Sequence, residues 1–386
     1  MESGSGFRRS RFCFPTAEPL RSARIGVVVW YATRSGDRAI GKGRAGMAEQ
    51  CERYAAIIGW GHYVPEHVLT NADLEQMVET NNEWIMSRTG IRERRVAAPD
   101  ETTATLGASA ARKALAVAHL DPSDLDLIMV ATATPDYFFP STACVVQSLL
   151  GVTRIPAFDI GAACSGFIYA LATATQFIRT GVYSRILVIG AETLTRLTDY
   201  TDRRTCVLFG DGAGAVVLEA TDQRRGLLSL TLGADGSGGD LLRAPGGGFT
   251  LPVTQEIIDR RAQYITMEGS EVFKFAVRTM GDAAIEAIAR AGMHFREIDM
   301  LIPHQANLRI IEATAKRLDL PRDRVWVNID RYGNTSAATI PISISEASDR
   351  GLLHEGANLL LVAFGGGLTW GASVIRWGRG AEGGGG

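Results

Sequence analysis

Two short segments, Ala110–Ala116 with the sequence AARKALA and Leu125–Ile128 with LDLI, return in similar form 173 residues later. The second copies are Ala283–Ala289, AAIEAIA, and Ile298–Leu301, IDML. A helix-like segment and a strand-like segment repeated at one spacing indicate that the chain contains two similar α/β halves.

Two further pairs of segments support the duplication. The apolar run Ile186–Ile189 aligns with Leu359–Val362 at the same spacing, and the loop Asp159–Cys164 aligns with Ile329–Asn334 at nearly the same one. Because pseudo-symmetric halves bring equivalent loops to one shared seam, we predict a catalytic cleft between the halves, lined by these two loops.

From Tyr54 onward, short apolar runs alternate with amphipathic segments and glycine-rich turns, a pattern typical of an α/β protein with largely parallel strands. The predicted strands are 127–131, 186–191, 213–218, 300–303, 325–329 and 359–364. The predicted helices are 109–119, 165–180, 272–291, 308–317 and 336–350. We predict an N-terminal half over residues 53–222 and a C-terminal half over residues 223–378.

The two ends of the chain differ from the rest. Residues 1–52 are rich in Arg, Gly and Ser, and we predict a disordered or spurious N-terminal extension. A start codon placed too far upstream explains it more economically than an organelle transit peptide, because Met47 opens a self-sufficient segment. Residues 379–386 are predicted to be a disordered Gly-rich tail.

The composition argues against several classes of protein. A net charge of −2, spread over both signs, argues against nucleic-acid binding. The five cysteines form no CxxC pair and no spacing with His that would build a zinc site, so we expect no metal and a reducing, cytoplasmic setting. The apolar runs are far shorter than the ~20 residues that span a bilayer. We therefore expect small-molecule chemistry, with no nucleic acid and no membrane as partner.

Cys164 lies in the small-residue turn Gly161–Phe167, GAACSGF, between an apolar strand and a helical run. A sulfur at a helix N-terminus faces unpaired N–H groups and the positive end of the helix dipole, which favour the thiolate over the thiol. Flanking glycines open the backbone to a ligand. We therefore predict that Cys164 is a nucleophile and that Cys144 and Cys206 are packing residues.

His304 and Asn334 each lie in a loop that is predicted to follow a strand and precede a helix, at the sheet edge where ligands usually bind. With Cys164 they fit two reaction classes. In a cysteine protease, the His deprotonates the thiol and the Asn orients the His. In a condensing enzyme, the His and Asn donate hydrogen bonds to a thioester carbonyl and stabilise the enolate left when carbon dioxide departs.

The segment Phe364–Gly371, FGGGLTWG, places three successive glycines after the last apolar strand. Bare N–H groups in such a turn can approach a substrate oxygen, so we predict an oxyanion hole formed by the backbone of Cys164 and Gly366. The similar-looking Phe209–Gly214, FGDGAG, lacks the Lys-Ser/Thr of a phosphate loop and is interpreted as structural.

From about Ala55 to Trp377 the chain resembles β-ketoacyl-acyl-carrier-protein synthase III. Motifs in the order of that family carry the resemblance: NEWI at 82–85, RTGI at 88–91, ACSGF at 163–167, TDR at 201–203, FGDG at 209–212, PHQANLR at 303–309, GNTS at 333–336 and FGGG at 364–367. The resemblance implies a thiolase-like fold, with duplicated α/β halves packed as a five-layered α-β-α-β-α arrangement.

The resemblance also implies a reaction. An acyl-CoA, commonly acetyl-CoA, would load Cys164, and decarboxylative condensation with malonyl-acyl-carrier-protein would give 3-oxoacyl-acyl-carrier-protein, carbon dioxide and CoA. This is the initiating step of type II fatty-acid synthesis, and no cofactor is expected besides the CoA thioester that serves as substrate. An acyltransferase or ketosynthase of secondary metabolism on the same scaffold stays the alternative.

Further site residues follow from the same resemblance. Trp84 and Arg203 would sandwich the CoA adenine, and Arg88 would help to fix the CoA end. Asn307 and Gly269 would line the tunnel for the pantetheine arm. Aromatic and guanidinium planes stack well on a base, which agrees with the first of these roles.

Two surfaces are expected to bind macromolecular partners. Phe139 resembles the family residue that reaches across a homodimer to cap the partner's acyl pocket. Arg309, Lys316 and Arg317 lie at i, i+7 and i+8 on one face of a predicted helix, which suits the docking of an acidic acyl-carrier protein.

The competing functions differ in their local residues. Elongating synthases use two His, thiolases a second Cys, and hydroxymethylglutaryl-CoA synthase an acid. Plant-type polyketide synthases share Cys-His-Asn, but the Trp84 and Arg88 motif favours the initiating synthase. A cysteine protease would carry a Cys-Gly-Ser-Cys-Trp neighbourhood, which this sequence lacks. The intact Cys164 disfavours a non-catalytic acyl-carrier binder.

Overall fold

The computed structural model describes residues 52–378. The extension expected at 1–52, apart from residue 52 itself, and the tail expected at 379–386 lie outside the described residues. The strands are β1 (Tyr54–Tyr63), β2 (Val68–Thr70), β3 (Glu93–Arg95), β4 (Leu127–Ala131), β5 (Ala157–Ile160), β6 (Arg185–Thr193), β7 (Asp211–Thr221), β8 (Gly226–Leu227), β9 (Thr231–Ala234), β10 (Leu242–Arg243), β11 (Thr266–Met267), β12 (Met300–Pro303), β13 (Asn358–Gly365) and β14 (Thr369–Arg376). The helices are α1 (Asn71–Glu75), α2 (Asn82–Thr89), α3 (Thr103–Ala118), α4 (Thr142–Leu149), α5 (Gly166–Arg179), α6 (Gln255–Asp259), α7 (Gly269–Arg290), α8 (Leu308–Arg317), α9 (Ile329–Tyr332) and α10 (Thr339–Asp349).

Ten strands form one mixed sheet, in the order β12-β13-β14-β8-β1-β7-β6-β4-β5 with β9 paired to β14. The strands β4, β5 and β6 are parallel to one another, as are β12 and β13. In contrast, β7 and β14 run antiparallel to their neighbours on both sides. The expectation of largely parallel strands is therefore wrong for the middle of the sheet.

The duplication is visible in the positions of equivalent elements. The pairs β4 and β12, β6 and β13, and α5 and α10 each begin 173 residues apart. The predicted strand at 325–329 is wrong in its extent: Val325 makes only an isolated bridge with Leu301, and Ile329 begins α9. One parallel pair, Ala55 with Gly226, joins the two half-sheets.

Alternating side chains of the half-sheets face different layers, as the two-residue period of a strand requires. Leu127 and Met129 pack on one side with α5 and α10, whereas Ile128 and Val130 pack on the other with α3 and α4. In the second half, residues of β13 divide in the same way between the central helices and the outer helices α7 and α8. The predicted five-layered α-β-α-β-α arrangement is confirmed.

The candidate catalytic residues lie at the ends of these layers. The turn that carries Cys164 connects β5 to the central helix α5, and the segment that carries Asn334 connects α9 to the central helix α10. His304 directly follows β12. Over residues 52–378, no helix is both long enough and apolar enough to cross a membrane.

Candidate active site

Cys164 lies in a tight turn, Ala163–Ser165, that leads directly into α5. Ala163 has a φ of +44°, in the left-handed region that residues with a Cβ seldom adopt. The Ser165 hydroxyl lies 2.8 Å from both Ala162 O and Thr369 Oγ1, and the Thr369 hydroxyl donates to Ala162 O at 2.9 Å. These bonds to the C-terminal half hold the turn in its strained conformation.

A cavity of about 150 Å³ opens beside Cys164. Ser336 and Gly366 also line it, and Arg243 is the charged residue of its wall. The remaining lining is mostly apolar and consists of Ala133, Ala163, Leu194, Leu197, Phe209, Leu242, Ala244 and Ile265. Such a cavity suits a small apolar group attached to the sulfur.

His304 is almost fully buried, with 1% of its surface exposed. Its backbone N–H donates to Val362 O at 2.8 Å, and its Nδ1 lies 3.2 Å from Thr339 Oγ1. The ring meets Phe364 edge-on, and Nε2 has no hydrogen-bond partner within residues 52–378. Burial lowers the pKa of His304 to about 3, so the imidazole is neutral and able to donate one N–H to a ligand.

Asn334 is fixed through its backbone and its side-chain oxygen. Its N–H donates to Leu208 O at 2.8 Å, and its carbonyl oxygen accepts from the Gly210 N–H at 3.0 Å. Its Oδ1 accepts from the Ser336 N–H at 2.9 Å. With the oxygen so engaged, the amide N–H groups are the part of the side chain that is suited to bind a substrate oxygen.

The segment Asn334–Thr339 connects the three predicted catalytic residues. It contains Asn334 itself, the Ser336 side chain hydrogen-bonds with that of Cys164, and Thr339 contacts His304. Thr335 Oγ1 lies 3.2 Å from Thr339 Oγ1 and continues the chain of contacts. The structure therefore ties the residues that the sequence predicted to one loop between the halves.

The resting state of Cys164 differs from the sequence prediction. Burial raises the pKa of its thiol to about 12; the hydrogen bond with Ser336 opposes this rise, and the negative charge of Glu192 adds to it. The predicted resting thiolate is wrong, because burial outweighs the favourable position at the start of α5. The proton has to leave the sulfur as the substrate reacts.

The glycine segment after β13 packs against the nucleophile turn. A Cβ at Gly365 would lie 2.6 Å from the Cys164 nitrogen and 3.2 Å from the Ser165 nitrogen, so this position has no room for a side chain. Gly366 lines the cavity next to the sulfur. An oxyanion hole formed by the N–H groups of Cys164 and Gly366 stays a prediction that this close packing supports.

Sequence reasoning missed two buried polar residues beside the site. Gln305 is 0% exposed; its Oε1 accepts from the N–H groups of Asn328 and Ile329, and its Nε2 donates to Pro303 O and Trp326 O. It thereby ties the strand before His304 to the start of α9. Glu192, also 0% exposed, lies near Cys164. The available signal was a polar residue next to a catalytic His and an acid at the end of an apolar strand.

The predicted CoA-binding residues lie together at one exposed region. The guanidinium of Arg203 lies 4.9 Å from the Trp84 ring centroid and that of Arg88 lies 5.9 Å from it. Asn307 caps α8 and donates to Arg88 O at 2.8 Å, which joins α8 to α2. Gly269 is the exposed first residue of α7. Since Arg203 stacks directly on Trp84, an adenine can enter between them only after the two separate.

Phe139 belongs to an exposed aromatic patch formed by Tyr137, Phe138, Phe139 and Phe249. Their exposed fractions are 59%, 74%, 85% and 91%, and the rings of Phe138 and Phe249 lie 5.5 Å apart. A solvent-exposed cluster of this size is typical of a protein interface.

The three predicted docking cations on α8 differ in their contacts. Arg317 forms an ion pair with Asp282 and packs on Gly281. Arg309 is exposed, and its guanidinium lies 4.9 Å from the Phe273 ring centroid. Lys316 is exposed as well. Arg309 and Lys316 are thus better placed than Arg317 to meet a partner.

Comparison with known proteins gives consistent results. Residues 158–236 match the family described as 3-oxoacyl-[acyl-carrier-protein (ACP)] synthase III, and residues 288–377 match its C-terminal family. The β-ketoacyl-[acyl-carrier-protein] synthase III of Caldanaerobacter subterraneus is 54% identical over 330 residues, which are 85% of this chain and 100% of that protein. The crystal structure of 3-oxoacyl-[acyl-carrier-protein] synthase III from Aquifex aeolicus is 49% identical, with a TM-score of 0.79 over 84% of this chain and 100% of that one. The priming β-ketosynthase of the R1128 polyketide pathway is 33% identical, with a TM-score of 0.80 over 84% of this chain and 97% of that one.

Proposed function

Because the chain belongs to the 3-oxoacyl-[acyl-carrier-protein] synthase III family and is an initiating condensing enzyme of fatty-acid synthesis, we propose that Cys164, His304 and Asn334 carry out its reaction. The substrates are a short acyl-CoA, with acetyl-CoA as the expected primer, and malonyl-acyl-carrier-protein. The observation that carries this assignment is the loop Asn334–Thr339, which contacts both Cys164 and His304.

The first step transfers the acyl group to Cys164. The sulfur attacks the thioester carbonyl of the acyl-CoA, the new carbon–sulfur bond forms, and the carbon–sulfur bond to CoA breaks. The proton lost by Cys164 balances the proton gained by the departing CoA thiol. The N–H groups of Cys164 and Gly366 would stabilise the tetrahedral oxyanion.

The second step uses His304 and Asn334. Their N–H groups donate to the thioester oxygen of the malonyl group, the bond to the carboxylate breaks, and the electron pair moves into an enolate as carbon dioxide leaves. The enolate carbon then attacks the acyl group on Cys164 and releases the thiol. The lowered pKa of His304 supports this role, because a neutral imidazole keeps a stable N–H donor without needing a proton from solvent.

Mass spectrometry tests the two steps separately. Mixed with acetyl-CoA, the full chain is expected to gain one acetyl group on Cys164, and Cys164→Ala to gain none. Addition of malonyl-acyl-carrier-protein is expected to release carbon dioxide and 3-oxoacyl-acyl-carrier-protein. Loading without condensation would contradict the assigned second step, and no loading would contradict the primer assignment.

The partner surfaces complete the proposal. The exposed aromatic patch would be covered in a homodimer, in which Phe139 reaches the partner's acyl pocket. Trp84, Arg88 and Arg203 would bind the CoA nucleotide, and Asn307 and Gly269 its pantetheine arm. The cations Arg309, Lys316 and Arg317 would meet the acidic carrier protein. No cofactor is assigned, and the reducing cytoplasm suits an enzyme that needs a free thiol.

A priming ketosynthase of polyketide synthesis is the second candidate. It is favoured by the fold match to the R1128 enzyme, which carries only 33% identity against 54% for the Caldanaerobacter synthase. The two functions differ in the carrier protein that the enzyme accepts. Condensation rates measured with carrier proteins from the two kinds of pathway distinguish them.

A further inference from the structure

Glu192 is a buried acid that the proposed reaction does not use. It lies near the end of β6 and is 0% exposed. Its carboxyl group accepts from the hydroxyls of Thr134 and Thr132, at 2.6 and 3.3 Å, and from the Ala133 N–H at 3.1 Å. No Lys, Arg or His among residues 52–378 lies within 4.0 Å to balance it. A buried acid without a cation costs stability, and such groups are frequently functional.

Ser336 connects this acid to the nucleophile. Its Oγ lies 2.9 Å from Glu192 Oε1, and its side chain is hydrogen-bonded to that of Cys164. Ser336 has a φ of +48°, which is unusual for a residue with a Cβ, and its N–H is held by Asn334 Oδ1. The backbone therefore places this hydroxyl between carboxyl and sulfur.

A serine hydroxyl has only one hydrogen to donate. When the Ser336 hydroxyl donates to an ionised Glu192, its lone pairs face the sulfur and accept from an S–H group. When Glu192 carries no charge, the hydroxyl is able to turn and donate to a thiolate instead. The state of Glu192 thus decides which form of Cys164 the serine stabilises.

We propose that Glu192 is a positioning residue for Cys164 that acts through Ser336. The buried carboxylate fixes the Ser336 hydroxyl so that its oxygen accepts from the Cys164 thiol, and the resting nucleophile stays protonated until a thioester binds. This inference rests on the proposed function, in which Cys164 carries the acyl group.

The other groups near the sulfur do not supply this effect. His304 is neutral, because burial lowers its pKa to about 3. Arg243 lines the same cavity but forms an ion pair with Asp240 at 2.7 Å. The negative charge of Glu192 raises the pKa of Cys164, in the direction that the proposal requires.

The test measures alkylation of Cys164 by iodoacetamide from pH 6 to pH 10, in the full chain without any substrate. In Glu192→Gln we expect alkylation at pH 8 to be about tenfold faster, because a thiolate forms at lower pH when the charge is lost and the serine is released. In the double variant Glu192→Gln with Ser336→Ala, most of this acceleration is expected to disappear. Cys164→Ala identifies the modified residue by mass spectrometry.

Thr134→Val is the matched control. It removes a 2.6 Å hydrogen bond to the same carboxyl group but leaves the contacts of Ser336 in place. Its alkylation profile is expected to stay within about twofold of wild type, since thiolate formation sets the rate. An equal shift in Thr134→Val and Glu192→Gln, or an unchanged Glu192→Gln, would overturn the proposal.

Infrared spectroscopy gives a test that does not depend on the folding of Glu192→Gln. The S–H stretching band of Cys164, identified by its loss in Cys164→Ala, is expected at pH 7 and should move to higher frequency in Ser336→Ala. An absent band, or one that Ser336→Ala leaves unchanged, would contradict the proposal. Both measurements use the resting protein, so failure of the condensation reaction alone would not change their outcome.

Discussion

The reaction centre and the CoA entrance are built in opposite ways. At the centre, His304 and Asn334 are 1% and 7% exposed, and hydrogen bonds to backbone atoms or neighbouring side chains fix them. At the entrance, Arg88 and Arg203 are exposed and contact Trp84 mainly through ring stacking. Substitutions at the centre should therefore change the rate of chemistry, and substitutions at the entrance should change binding.

Asn334→Ala should show the largest effect. It removes an N–H donor to the malonyl thioester, and loss of one such donor typically slows a reaction about 10²- to 10³-fold. We expect that loss in carbon dioxide release from malonyl-acyl-carrier-protein, while acetyl loading of Cys164 changes far less. Asn358→Ala, at the opposite end of β13, serves as the control. Equal losses in both steps would remove the distinction between centre and nucleophile.

Gly365→Ala tests how closely the centre is packed. The new Cβ would lie 2.6 Å from the Cys164 nitrogen and displace the nucleophile turn. A shift of about 1 Å in a reacting group can cost about 100-fold, so acetyl loading measured by mass spectrometry should slow by that order. Gly161→Ala, three residues before Cys164 and with open space around its Cβ, should load at nearly the normal rate.

Arg203→Ala should have a modest effect that is confined to binding. An exposed cation–π contact contributes about 0.5–1 kcal/mol, so the KM for acyl-CoA should rise about two- to fivefold with kcat unchanged. Lys113→Ala, which removes a cation from the distant Tyr63 ring, is the control. A fall in kcat in Arg203→Ala would mean that the entrance also shapes the chemistry.

The smallest expected effect is that of acid on decarboxylation. With a pKa of about 3, His304 keeps its N–H donor neutral from pH 8 down to pH 5, so the rate at the preformed acyl-enzyme should change less than about twofold through this group. An ordinary histidine, with a pKa of about 6.5, would lose roughly thirtyfold of its neutral form over that range. A decline in carbon dioxide release with a midpoint near pH 6.5 would contradict the buried neutral imidazole.

Much of the fold could be predicted because hydrophobic periodicity is local. Leu127–Ala131 and Leu308–Arg317 have the predicted bounds, since each is a run with one clear period. The prediction for α3 began six residues late, because the capping box formed by Thr102 and Thr105 was not recognised. The run at 325–329 has strand-like composition, but only Val325 finds a neighbouring strand. Pairing depends on distant residues that local patterns do not contain.

The site divides in the same manner. Cys164, His304 and Asn334 were found because each lies in a glycine- or proline-marked loop with a reactive side chain. Glu192 and Gln305 were not found, because their importance comes from contacts with Ser336 and with the start of α9. The protonation of Cys164 was predicted wrongly for the same reason, since burial is a property of the folded chain.

The central layer has an evolutionary consequence. One helix of that layer comes from each half, α5 and α10 begin 173 residues apart, and a single strand pair joins the half-sheets. A chain of one half alone would leave the inner face of its helix bare, and two such chains would cover each other by pairing about a twofold axis. The present chain thus keeps the outline of an ancestral dimer whose genes were fused. Fusion freed the two copies of one loop to diverge, so that one came to hold a nucleophile and the other an amide.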